Sequence, residues 1–296
     1  MSLSVLDEYI AGLYQATRVV VSVSGGKDSI AMLLQVLETI PRDLVITHHQ
    51  IVLEDWPGTV EYCERVCQQL GVPFYCTQAS YSGYECLECH HRYLISCATL
   101  SIPWCRACGS RQAAYLRQVE SVLDLVEWRQ AWPSLSVRFC TSYFKRDNFN
   151  SWARANAHML GEHPVICLGE RALESRGRAK LPVWRVRSGL KQGWMHEWRP
   201  VLSWRRVDVF QKMRAYQVEP HYCYELQGMS QQDMYETDIE GGPRMSCVMC
   251  FLKSPEQLRT GYYTQEGRAV MERALAIEAK TGHTIQYGHA LAEMLA

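Results

Sequence analysis

The chain has 296 residues, 47% hydrophobic and 21% charged, with 31 Lys+Arg against 31 Asp+Glu. That balance excludes a uniformly basic nucleic-acid binder and an unfolded polar tail, but leaves room for a local basic face. No apolar run approaches the roughly 18 residues that cross a bilayer, and no basic secretory start precedes Asp7 and Glu8, so a cytoplasmic protein with no membrane partner is expected. Thirteen cysteines without a signal peptide point to metal or redox chemistry rather than to a disulfide framework.

Residues 3–16 have the apolar spacing of an amphipathic helix. Residues 18–24, RVVVSVS, predict a short buried strand, and the glycine-rich SGGKDS leads from it into a helix that stops at Pro41. A second strand is expected over 43–49, a helix over 58–70 ending at Gly71, and a third strand over 73–77. Two CxxC pairs interrupt the pattern from Tyr81 to Arg111. Helices follow to about residue 130 and again after Thr141, a fourth strand covers 164–169, and 253–296 reads as helical. This alternation predicts an α/β fold, a doubly wound parallel sheet whose ligands sit beyond the carboxyl ends of its strands. The expected organisation is an α/β domain of 1–80 and 112–215, a metal-binding insertion at 81–111, and a cysteine-containing helical C-terminal region at 216–296.

The loop Ser24-Gly25-Gly26-Lys27-Asp28-Ser29 is the strongest motif. Two glycines let backbone N–H groups approach an anion, the helix N-terminus and Lys27 add positive charge, and Ser24 and Ser29 add hydroxyls. The GxxxxGK[ST] spacing of a Walker A loop is absent. Cys86, Cys89, Cys105 and Cys108 have the C-x2-C-x15-C-x2-C spacing of a tetrahedral zinc site, with iron as the alternative and His90 and His91 as spare ligands. Between Arg171 and Arg214, twelve Lys/Arg stand against three Asp/Glu, and four tryptophans (Trp184, Trp194, Trp198, Trp204) interleave them, a composition suited to phosphate contacts and base stacking. His48 and His49 end the second strand at the ligand edge, where at most one faces a nucleotide.

The SGGKDS loop resembles the pyrophosphate loop of ATP pyrophosphatases, and the chain is similar to the phosphoadenosine phosphosulfate reductase-like branch of the adenine nucleotide alpha hydrolase-like proteins. Further segments resemble the family in order. They are Leu53 to Thr59, where Gly58 replaces the usual glutamate; Phe139 to Lys145; the arginine loop Gly169 to Arg178; Pro200 to Val209; and Arg244 to Cys250 with its late CxxC. The resemblance implies an enzyme that cleaves ATP to AMP and pyrophosphate, with Mg2+, and adenylates a substrate oxygen. It assigns Ser24, Gly25, Gly26, Lys27, Asp28 and Ser29 to pyrophosphate. Lys145, Arg171, Arg176 and Arg178 are assigned to the remaining phosphates, with Glu174 and Ser175 ordering the arginine loop. Lys27, Asp28, Arg171 and Arg176 are the expected catalytic set. It further implies a 4Fe-4S cluster on Cys140, Cys247 and Cys250, with Cys223 as the fourth thiolate or an open iron that takes sulfide, beside Zn2+ in the insertion.

The function expected from this resemblance is ATP-dependent, sulfurtransferase-like: sulfur transfer to a nucleic acid or nucleotide, drawing on a sulfur donor or an electron-transfer partner. Two alternatives stand beside it. A sulfonucleotide reductase needs a late mobile cysteine, and no cysteine follows Cys250. A non-catalytic, metal-stapled nucleic-acid-binding module has no evident use for an intact phosphate loop.

Overall fold

The computed structural model describes residues 3–98, 104–238 and 240–296, with side chains from Tyr9 onward. They form two compact units: Met1–His49, Trp56–Thr77 and Trp152–Ser246 make the first, and Gln50–Asp55, Gln78–Ser151 and Cys247–Ala296 the second. The expected metal-binding insertion therefore belongs to a larger body that also takes in residues 112–151 and the C-terminal helices. Residues 99–103 of that insertion lie outside the described residues.

The strands are β1 (Arg18–Ser22), β2 (Val45–Ile51), β3 (Phe74–Gln78), β4 (Tyr81–Cys86), β5 (Arg92–Ser96), β6 (Ala113–Val119), β7 (Pro164–Cys167), β8 (Trp184–Val186) and β9 (His196–Trp198). Helices α1 (Leu3–Tyr14), α2 (Lys27–Thr39), α3 (Thr59–Gln69) and α4 (Val122–Arg129) are followed by further helical segments. The first unit is built on a six-stranded sheet in the order β3-β2-β1-β7-β9-β8. Parallel pairing places Val20 beside Ile46 of β2 and Ile166 of β7. Val19, Val20 and Val21 are wholly buried, which is why β1 is a continuous β-branched run rather than an alternating one. β8 runs antiparallel, pairing Trp184 with Trp198 of β9, while β1, β2, β7 and β9 pair in parallel, so the sheet is mainly parallel with an antiparallel edge. The order reverses between β1 and β7, and the loops leaving these two strands open at that switch point.

In the second unit β4 lies between β5 and β6 in an antiparallel sheet, with a bulge at Gly83/Tyr84. The sequence reading expected a helix directly after Arg111. The structure has β6 there, because cross-strand partners in β4 decide a short apolar segment that propensity leaves open. The helix begins only at α4, where Ser121 caps it in a capping box with Asp124. The second expected helix runs from Phe139 to Ala155 but carries a π-helical stretch at Ser142–Asp147. Near the C-terminus two packed helices, Pro255–Tyr263 and Gln265–Thr281, meet expectation.

Candidate functional site

The glycine loop leaves β1 at the switch point. Gly25 has φ 76°, a left-handed conformation that suits glycine, and a Cβ there would stand 2.7 Å from Met245 Cε. Gly26 occupies the N-cap of α2 without a side-chain cap. The N–H groups of Gly25 and Gly26 have no acceptor among the described residues, while the Lys27 N–H donates to Tyr224 Oη at 2.9 Å. The serines brace the loop internally: the Ser24 N–H donates to Ser29 Oγ (3.1 Å), and Ser29 Oγ donates to the Gly26 carbonyl (2.8 Å). The result is a backbone cradle whose unbonded donors come from the two glycines, both buried, with Met245 and Tyr224 against them.

A line of alternating charges supports it. Lys27 is buried, and its Nζ meets Asp28 Oδ2 at 2.8 Å. Asp28 Oδ1 meets Arg171 Nε at 2.5 Å, and Arg171 Nη1 reaches Glu240 at 3.0 Å and the Trp204 carbonyl at 3.2 Å. Glu240 also accepts the Arg206 N–H at 2.6 Å. Burial pushes the Asp28 carboxyl up, but Lys27 and Arg171 more than offset it and hold it below the usual carboxylate range. Arg171 loses to burial and gains more from Asp28 and Glu240, so its pKa rises.

The loop after β7 docks on the first. A Cβ on Gly169 would fall 3.0 Å from the Asp28 carbonyl oxygen and 3.1 Å from the Ser29 nitrogen, both backbone atoms, so only glycine lets the two loops approach this closely. Glu174 accepts the Arg171 N–H at 2.9 Å and pairs with Arg178, whose own N–H donates to Ser175 Oγ at 3.2 Å. Arg176 is exposed and makes no ion pair among the described residues. The four arginine-loop calls thus divide: Arg171 and Arg178 are held by carboxylates, Glu174 and Ser175 organise the turn, and Arg176 stays open to solvent.

The basic stretch divides: four of its twelve Lys/Arg are buried and six are exposed. Arg171, Arg187, Arg199 and Arg206 are buried, as are Trp184 and Trp198. Glu197 gathers Arg185 at 2.6 Å, Arg187 at 3.0 Å and Arg199 at 2.6 Å. His48 and His49 are buried as well. His48 bonds Thr77 Oγ1 at 3.1 Å and lies 4.2 Å from the Trp152 ring; burial, then His49, push its pKa down to about 3. The His49 Nδ1 bonds the Val23 carbonyl at 2.8 Å and lies 3.8 Å from Cys63 Sγ.

In the second unit, Cys86, Cys89, Cys105 and Cys108 place their sulfurs within 4.8 Å of one another, with Cys86–Cys108 and Cys89–Cys105 at 3.5 Å. Thiolates at about 2.3 Å from one tetrahedral ion are about 3.8 Å apart. Both turns are built alike. Each CxxC is followed by a left-handed residue, His90 (φ 56°) or Gly109 (φ 81°), whose N–H returns to the carbonyl of the first cysteine at 3.0 or 2.7 Å. Hydrogen bonds from backbone N–H groups, the Cys89 N–H first, draw the Cys86 thiol down to about 6. The residues fit a single metal ion.

Cys140, Lys145, Cys247 and Cys250 also lie in the second unit. The Cys250 N–H bonds the Cys247 carbonyl at 3.0 Å, closing the late CxxC turn. Burial works against the Lys145 charge, yet Asp55, Cys247, Cys250 and Cys140 together raise its pKa. Burial pushes the Cys247 thiol well up, as it does Cys140. Cys223 lies in the first unit, fully buried. Sequence reasoning missed Tyr224, Glu240, Met245 and Gly169; of these only Gly169, within the arginine loop, carried a local signal.

A mainly parallel sheet whose order reverses between β1 and β7, with a glycine loop and helix N-terminus at the reversal, defines a doubly wound α/β protein whose ligand crevice lies at the switch point. The chain belongs to the phosphoadenosine phosphosulfate reductase domain family, whose model matches residues 18–250. Its curated relatives include an uncharacterized 37.8 kDa protein in the gpa 5' region of Escherichia phage 186, 29% identical over 250 residues, 80% of this chain and 67% of that one. Similar solved structures include the phosphoadenylyl-sulfate reductase of Candida auris in a phosphate complex (13% identity, 81% of this chain and 98% of that chain, TM-score 0.42). Another is the U34-tRNA thiolase NcsA of Methanococcus maripaludis with its 4Fe-4S cluster (12% identity, 73% and 64%, TM-score 0.36). No described helix is long and apolar enough to cross a membrane.

Proposed function

We propose that this chain is an ATP pyrophosphatase-type enzyme that adenylates a substrate oxygen for sulfur transfer to a nucleic acid or nucleotide. One observation carries the reading: two glycine N–H donors without acceptors, at the sheet's switch point, beside a buried lysine and a helix N-terminus. In-line displacement at the α-phosphorus is mainly a matter of positioning and charge neutralisation. The Gly25 and Gly26 N–H groups and Lys27 would take charge developing on the departing pyrophosphate, and exposed Arg176 would meet an outer phosphate. Asp28 would act through its neighbours, holding Lys27 and Arg171 in place. Lys145, within the second unit, is assigned here to the cysteine site.

Mg2+ finds no prepared ligand at this loop: both Asp28 oxygens face Lys27 and Arg171, and the Glu240 oxygens face Arg171 and Arg206. No step is assigned to it. The four knuckle cysteines suit zinc as a structural ion. Cys140, Cys247 and Cys250 suit three corners of an iron–sulfur cluster, which spans more than one ion, and the Lys145 charge would offset that of its thiolates. Such a cluster would supply sulfur or electrons.

The test is exchange of labelled pyrophosphate into ATP. The wild-type chain with candidate substrate is expected to catalyse it, and Lys27→Ala to lose at least about 100-fold, the scale of one lost charge-stabilising contact. Wild-type protein that neither binds ATP nor exchanges pyrophosphate would sink the proposal.

A further inference from the structure

The sheet of the second unit has two unlike faces. On one, Gly83 and Arg92 meet α4: a Cβ on Gly83 would stand 2.5 Å from the Trp128 ring, and the Arg92 guanidinium lies 4.2 Å over it. On the other, register places Tyr93 and Tyr115 directly across from Tyr84, one tyrosine from each strand. Tyr84 stacks on Tyr93 with centroids 6.0 Å apart and meets Tyr115 edge-on at 5.8 Å, while His91 extends the row, stacked on Tyr93 at 6.1 Å. Tyr115 is 56% exposed, and Trp104, beside Cys105, is 63% exposed. Charge follows the rings. Between Cys86 and Arg111 three arginines stand against one acid, Glu88, and Arg106 and Arg111 are exposed without an ion pair among the described residues.

We infer that this tyrosine row is a stacking platform for single-stranded nucleic acid, with Arg106 and Arg111 on its phosphates. Rings standing side by side across a sheet accept unpaired bases of any sequence, and unpaired guanidinium groups supply the backbone contacts. The two knuckles fix the platform's edge. A duplex keeps its bases stacked and offers nothing to the row. The inference rests on the nucleic-acid branch of the proposed function and names the surface that would hold the substrate.

The probes are fluorescent 12-nucleotide oligouridylate and oligothymidylate, titrated without ATP by anisotropy, with a 12-base-pair duplex as contrast. Saturable binding of a single strand, at least about 10-fold tighter than the duplex, is expected. Tyr115→Ala and Tyr84→Ala should each weaken it about 10-fold, and Tyr115→Phe should restore it. Tyr287→Ala, at a fully exposed tyrosine elsewhere in the unit, should leave it within about 2-fold. Arg106→Ala and Arg111→Ala should each lower the salt slope by about 1. Equal binding of duplex, no binding of either strand, or unchanged affinity in both alanine variants overturns the inference. So does a proline-rich peptide that titrates where oligonucleotides do not. Pyrophosphate exchange is measured separately, so an inactive chain that still binds strands refutes the proposed activity and not the platform.

Discussion

Tyr224→Phe removes one oxygen from the phosphate loop's surroundings and leaves the ring where it is. Tyr224 is 1% exposed, packed edge-on against Phe210 at 5.7 Å, with Lys27 Nζ 5.9 Å from its centroid. Phenylalanine keeps both contacts. What disappears is the acceptor for the Lys27 N–H, 2.9 Å away. A buried donor left without a partner costs about 1–3 kcal/mol, and the hydroxyl's own desolvation is relieved, so a loss near 1 kcal/mol is expected in urea unfolding. Pyrophosphate supplies the decisive contrast. If the Lys27 N–H belongs to the cradle, wild-type protein must break the tyrosine bond before phosphate takes that donor, whereas the variant offers it free. Pyrophosphate should then bind the variant up to about 10-fold tighter by calorimetry, equivalent to about 1.4 kcal/mol. The stability deficit should shrink by a like amount at saturating ligand, because ligand that binds only the folded state adds its binding free energy. Equal pyrophosphate affinity in both proteins, with a deficit that ligand leaves untouched, would show that phosphate never reaches this N–H.

Acid should unfold the first unit early. Burial pushes His48 down to about 3 and, with Arg65 as a lesser cause, His221 down to about 4, so the unfolded chain takes up protons first as pH falls below about 6.5. Each histidine then removes up to about 1.4 kcal/mol per pH unit until its folded pKa is reached; unfolding midpoints between pH 7 and 4.5 should fall, and less steeply in His48→Gln. A flat profile would show that neither ring is held neutral. Cys86→Ser combined with Cys105→Ser should lose about one equivalent of bound metal while Cys247→Ser keeps it, by elemental analysis of protein expressed with zinc. Unchanged metal in the double variant would place the ion elsewhere.

The phosphate loop was readable because its parts are contiguous: strand, two glycines, lysine and helix start follow one another, and local backbone geometry does the rest. The knuckle cysteines were readable for the same reason, since each CxxC turn is closed by its own hydrogen bonds. Tyr224 and Met245 were not, because each reaches the loop from a segment about two hundred residues away, nor was Glu240, which meets Arg171 from 69 residues on; nothing in a tyrosine's neighbours along the chain announces that its hydroxyl will meet Lys27. The tyrosine sheet was missed on different grounds. Its strands are short and half exposed, and β6 owes its conformation to β4 rather than to its own residues. The π-helical stretch at Ser142–Asp147 likewise has no signature in spacing.

Charge along the chain and charge on a surface proved to be different quantities. The +9 stretch looked like a phosphate-binding face, yet Glu197 alone draws in Arg185, Arg187 and Arg199, and Arg171 spends its charge on Asp28 and Glu240. A buried guanidinium paired in this way orders loops and cannot also meet a solvent-borne phosphate without leaving a carboxylate stranded, a loss of about 3–5 kcal/mol. The cations still free to bind are therefore exposed ones without an ion pair among the described residues, among them Arg176, Lys180 and Lys191 in the basic stretch and Arg106 and Arg111 on the knuckle. Any nucleic-acid contact by this chain has to be built on cations of their kind.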